Sequence, residues 1–149
     1  MNSSRLLYLI LLTLQFFSAC DKIEQRHNAP EDIEEAKQFA KGFYTRIAKL
    51  EFDKAAALFG GQEVAAENAD KFLRDVYLSC DTLINAEAYR VETKVRIIEK
   101  RGKTPSIKKE YIVEVDAEYK NRKYRETITL RNTGDTLKIE GYNQEWNNH

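Results

Sequence analysis

The chain has 149 residues, with 24 Lys and Arg balanced by 24 Asp and Glu. A nucleic-acid binder usually carries a clear basic excess, so this balance argues against one. The two histidines fall at His27 and His149, outside any predicted element, which argues against a Cys–His or Ser–His nucleophile and against a histidine-ligated metal.

The first segment predicts an address. Arg5 precedes an apolar run from Leu6 to Phe17, broken only by Thr13 and Gln15, and small Ser18 and Ala19 follow. That is the layout of a secretory signal. The run is shorter than the roughly 20 apolar residues a spanning helix needs, so a retained transmembrane helix is the weaker reading. A cut after Ala19 by ordinary signal peptidase would put bulky Phe17 three positions before the cut. The stretch "FSAC" instead resembles a lipobox, with Cys20 as the lipid-modified residue. It departs from the family pattern at Phe17, where Leu is commonest. A plain secretory signal, with Cys20 an incidental thiol, is the competing reading. The resemblance implies a triacylated Cys20 that holds the mature chain on a bacterial membrane, because two or more acyl chains anchor firmly where one does not.

Residues 1–19 then form the signal and 20–29 a lipidated polar tether without periodicity, leaving a single domain over 30–149. The mature chain carries 23 Lys and Arg, one fewer for the loss of Arg5, against 24 acids. With Cys20 acylated, Cys80 has no disulfide partner, and its place on an apolar helical face reads as a buried core thiol.

Pro30 followed by Glu31, Asp32, Glu34 and Glu35 suits a helix start. Ala36, Ala40, Phe43, Ile47 and Leu50 share one helical stripe, predicting a helix from about Glu31 to Leu50. A short helix fits "EFDKAAALFGG", and a third fits Glu63–Leu83 with Ala69, Phe72, Leu73, Val76, Tyr77 and Cys80 on one face. After Asn85 the period becomes two. Tyr89, Val91, Thr93, Val95 and Ile97 alternate with charges, then Tyr111, Val113, Val115, Ala117 and Tyr119, then Tyr124, Ile128 and Leu130. A turn at "NTGD" leads to the last strand, "TLKIEGYNQEW". Three N-terminal helices packed on a four-stranded antiparallel sheet make an α+β domain.

The stretch "AKQFAKGFYTRIAKLEFDKAAALFG" and the element order after it resemble small bacterial envelope proteins with a nuclear-transport-factor-2-like, or cystatin-like, domain. The resemblance covers roughly Glu31 to Trp146. It implies a curved sheet wrapped around the helices as a cone. Many such proteins are lipoproteins, and the superfamily spans enzymes, binding modules and assembly parts.

Enzymes of that superfamily place a carboxylate inside the cone, where burial tunes it. The one candidate on an apolar strand face is Glu126, between Tyr124 and Ile128, with Tyr44 and Tyr111 as candidate phenol neighbours. An isolated Glu is almost never fully buried, so the expectation is a rim or twisted-edge position paired with a cross-strand Lys or Arg. No phosphate loop, Cys-pair metal motif or nucleophile elbow appears, and no cofactor is implied.

Between Lys94 and Lys109 lie seven positive residues against one acid, Glu99. Near an anionic surface these gain about 1 kcal/mol per charge. The plainer reading is a solvated hairpin that resists edge aggregation. Trp146 and Tyr142 share the strand face opposite Leu137 and Ile139, which favours a second buried or binding surface. The sequence therefore predicts a lipid-anchored envelope protein whose domain binds a protein or small molecule, or pairs with a second copy, without catalysis. The alternative is a ketosteroid-isomerase-like or hydrolase-like enzyme using Glu126.

Overall fold

The computed structural model describes residues 22–60, 66–100 and 102–146. The signal segment, Cys20 and His149 lie outside the described residues. Eight elements follow in order: β1 (Lys22–His27), α1 (Pro30–Ala48), α2 (Phe52–Ala56), α3 (Ala66–Cys80), β2 (Leu83–Glu99), β3 (Ser106–Tyr119), β4 (Lys123–Thr133) and β5 (Thr136–Trp146). The fold is α+β, with three helices and a five-stranded open antiparallel sheet in the order β1-β2-β3-β4-β5.

The fifth strand corrects the sequence reading, which makes 20–29 a tether and puts the helices first. β1 pairs with the outer half of β2, from Lys22 opposite Glu99 to His27 opposite Lys94. Five of its six side chains are exposed, so it has no apolar face and leaves no period-two signal. Backbone pairing and ion pairs hold it: Lys22 reaches Glu99, and Arg26 reaches Glu31 at 2.8 Å and Asp32 at 3.1 Å. Charge along an edge strand also discourages further pairing.

α1 starts at Pro30, with Glu31 and Asp32 in its first turn, where the helix dipole favours acids. Ala36, Ala40, Phe43, Tyr44 and Ile47 are buried along its stripe. Leu50 and Asp81, at φ 60° and 66°, take the left-handed conformation just past α1 and α3. Against the helices the sheet presents Tyr111, Val113, Val115, Ala117 and Tyr119 from β3, and Tyr124, Glu126, Ile128 and Leu130 from β4. The other face is laced with charge, including Arg125–Asp116, Lys123–Glu118 and Arg131–Glu110 pairs.

Bulges redirect side chains that simple alternation misplaces. In β2 the register skips Ile84 and Tyr89, which are 63% and 43% exposed while Ala86, Ala88, Val91, Thr93 and Val95 keep to the inner face. In β5 the register jumps from Leu130–Ile139 to Thr129–Gly141, leaving Glu140 as the extra residue. One extra residue reverses the face of everything after it. Tyr142 thus joins Ile139 on the inner face instead of opposing it, and its ring packs 6.2 Å from Phe43 and 5.5 Å from Phe72.

The register also sorts the two ends of the sheet. Lys22 and the β2–β3 hairpin tip lie at one end. The β3–β4 turn and Trp146, which pairs with Tyr124, lie at the other, roughly 40 Å away at the usual rise per residue. If β1 is a strand, amides within 22–27 that bond to β2 will exchange with deuterium far more slowly than in a free peptide. A uniform, unprotected exchange across 22–27 would restore the tether reading.

Candidate functional site

Glu126 is the fourth residue of β4, opposite Val115 of β3 and Gln144 of β5 and two residues from the Tyr124–Trp146 pair. It is completely buried. Three side chains donate to its carboxyl group: Tyr44 Oη from α1 to Oε2 at 2.5 Å, Tyr119 Oη from the end of β3 to Oε1 at 2.9 Å, and Gln144 Nε2 from β5 to Oε1 at 2.9 Å. Gln144 also lies 3.8 Å from the buried Cys80 Sγ. The expectation of a rim position with a basic partner is therefore wrong. No Lys or Arg among the described residues reaches Glu126, and neighbouring Arg125 faces outward to Asp116. Phenols and an amide replace the cation, which lets an acidic side chain occupy the core.

Burial, reinforced by the charge of Glu126, pushes the phenols of Tyr44, Tyr119 and Tyr142 well above their ordinary range. They remain protonated and available as donors at any ordinary pH. The Tyr142 hydroxyl is buried beside Glu126, Tyr44 and Tyr119 but makes no hydrogen bond of good geometry. A general base must reach the proton it removes. Both oxygens of Glu126 are engaged and none of the side chain is exposed, so in this conformation the carboxyl group serves packing.

Tyr111, the other phenol expected beside Glu126, belongs to a second polar cluster near the start of α1. Its hydroxyl donates to Glu35 Oε2 at 2.7 Å and lies 3.4 Å from Asp32 Oδ1. Lys109 holds Glu35 at 2.7 Å, and Arg26 reaches Asp32. Asp32 is 3% exposed. This cluster ties β1, α1 and β3 together. From sequence, Asp32 and Glu35 read only as helix-start acids. Their i,i+3 spacing, which points both to one side, is the signal that could have found them.

The remaining candidates do not converge on Glu126. Trp146 is 63% exposed at the far end of β5, and the Arg122 guanidinium lies 5.2 Å from its ring centre. Arg122 also donates to Tyr124 Oη at 3.2 Å. The β5 bulge turns Tyr142 and Trp146 to the same, inner face; Tyr142 is covered by Phe43 and Phe72, whereas Trp146, opposite Tyr124 at the strand end, stays exposed, so the two do not form one open surface. The sequence does not mark Tyr119 and Gln144 as partners of Glu126, because cross-strand register cannot be read from one strand alone.

Two outcomes follow. Tyr44→Phe removes the donor to Glu126 Oε2 and should cost about 1–3 kcal/mol in urea unfolding, the usual penalty for a buried group left unpaired. Burial raises the Glu35 pKa, but the Lys109 and Tyr111 hydrogen bonds outweigh it and the folded value falls below the ordinary 4.5. The unfolded chain then binds more protons, so this contribution is present above the ordinary carboxylate pKa and lost as pH falls through the folded value. Acid unfolding of Glu35→Gln should therefore be less steep than that of the parent below about pH 5, a difference set by the ordinary carboxylate range.

Comparison with family models, curated proteins and solved structures finds no match.

Proposed function

We propose that this is a lipid-anchored protein of the bacterial cell envelope, held by an acylated Cys20 to the inner or outer membrane, whose domain binds a protein or small-molecule partner and performs no catalysis. Glu126 carries the reading. The one carboxyl group buried among the described strands, where an enzyme of this architecture would keep its acid or base, is closed by three donors and withheld from solvent. The exposed chemistry lies instead at the end of the sheet far from Lys22, where Trp146, Arg122 and the bulged Ile84 stand in solvent. Trp and Arg are the residues that most often dominate binding energy at interfaces. Three helices and consecutive antiparallel strands are consistent with the cone of the nuclear-transport-factor-2-like envelope lipoproteins that the sequence resembles. A homodimer through the open sheet face would have to cover its charge-laced surface, which makes the Trp146 end the better contact for a partner.

One observation favours the enzyme alternative. The Tyr142 hydroxyl, buried beside Glu126 without a well-formed hydrogen bond, is a polar group of the kind a bound ligand would satisfy.

Crosslinking of the membrane-anchored protein in its own cells, read by mass spectrometry, separates the two. The proposal predicts one stoichiometric partner that is lost with Cys20→Ala and reduced at least several-fold with Trp146→Ala. A turnover that disappears in a stably folded Glu126→Gln variant, with no captured partner, would overturn it.

A further inference from the structure

We infer that the tip of the β2–β3 hairpin docks on anionic phospholipid headgroups beside the N-terminal anchor, an inference that rests on the lipoprotein reading for the anchor itself. The register of β1 carries it. Lys22 pairs with Glu99, the last residue of β2, so the chain enters the fold at the hairpin tip. Cys20 precedes Lys22 by two residues, at most about 7 Å of extended chain. The headgroup layer on each side of a bilayer is itself roughly 5–7 Å deep. An acylated Cys20 therefore holds this end of the sheet against the headgroups, and the Trp146 end faces away.

The composition of the tip fits that position. Lys100 and Lys103 are exposed, with no ion-pair partner among the described residues. Lys94, Arg96 and Lys108 line an open groove of about 650 Å³ that continues from the tip. Arg96 and Lys108 are direct cross-strand partners, a like-charge pairing that is unfavourable unless an anion stands nearby. Other cations near the groove are already neutralised: Arg131 by Glu110 and Glu140, and Lys109 by Glu35. The acids at this end are Glu99, which faces Lys22 at 4.0 Å, the exposed Glu24 of β1, opposite Ile97, and Asp135, together with Asp21 in the adjoining sequence; Glu110 and Glu140 also line the groove, on Arg131. Exposed aliphatic residues accompany the charge, with Ile23 at 58% and Ile107 at 46% exposure. A basic rim with aliphatic side chains suits a lipid interface better than a purely ionic polymer. Screening over about 8 Å limits the effect to the tip. Lys94, five residues down β2 from Glu99, is roughly 17 Å back and adds little.

The test uses the lipidated full chain, reconstituted in vesicles of phosphatidylcholine alone or with about 30% phosphatidylglycerol, a composition that gives a marked negative surface potential. A fluorophore on Thr104→Cys reports the tip and one on Asn143→Cys reports the far half of β5; Cys80 is buried and escapes labelling. Quenching by headgroup-labelled lipid should be about threefold or more stronger for the tip probe on anionic vesicles, as a few charges at this surface require. Raised salt should reverse it, the combined Lys100→Glu, Lys103→Glu and Lys108→Glu variant should abolish it, and the Asn143 probe should not respond. Equal quenching on both vesicles, or in the triple variant, overturns the proposal, as does a tip that is protected only by an added soluble anionic polymer. The mass of the N-terminal peptide reports acylation separately. If Cys20 carries no acyl chain, the lipoprotein reading falls, and the same probes on a Cys20→Ser background, which removes the free thiol, decide the tip: phosphatidylglycerol-dependent quenching retains it, and its absence removes it.

Discussion

A carboxyl group buried without a cation constrains the whole domain. Moving such a group out of water costs several kcal/mol unless donors replace the solvent. Here the donors come from three separate elements: Tyr44 from α1, Tyr119 from β3 and Gln144 from β5. None is a neighbour of Glu126 in sequence. The carboxyl group is satisfied only when the helix lies across the sheet in one position and both flanking strands hold their register. Polar contacts of this kind specify one packing where an apolar core would tolerate several. The aromatic rings around it, Phe43 against Tyr44 at 5.1 Å and Tyr119 against Tyr124 at 6.0 Å, exclude water and fill the remaining space.

That arrangement depends on an irregularity in β5. Without the extra residue at Glu140, Tyr142 and Gln144 would point to the charged face and Glu126 would lose a donor. The bulge keeps both Ile139 and Gln144 inward on one strand. A short bridge, from Gly60 N to the Ile139 carbonyl at 3.0 Å and from Ile139 N to the Leu58 carbonyl at 2.8 Å, fixes the strand just before the bulge. The register puts the chain's entry at the basic hairpin end, Trp146 at the opposite end, and Glu126 two residues from the Trp146 row.

The helices were legible because each buries an apolar stripe, and β3 was legible because every second residue is buried. Glu126 was legible as an odd residue on an apolar face, although its environment was not: a rule about isolated Glu cannot anticipate two phenols and an amide brought from distant elements. Strict alternation misplaces Tyr142 and Tyr89 because it has no means of locating an inserted residue. β1 is invisible to hydrophobic patterning because its stability lies in backbone bonds and ion pairs to Glu99, Glu31 and Asp32, which no such pattern records. The basic run was visible in the sequence, but its relation to the N-terminus appears only when Lys22 is seen opposite Glu99.

The central claim is that the Glu126 carboxyl group and its donors form one packing unit. A double-mutant cycle in urea between Tyr44→Phe and Glu126→Met tests it most directly. Two groups in one buried network should couple by about 1–3 kcal/mol, so that the double variant is markedly less destabilised than the sum of the single ones. Additive effects within experimental error would mean that Tyr44 and Glu126 contribute independently, and would contradict the account.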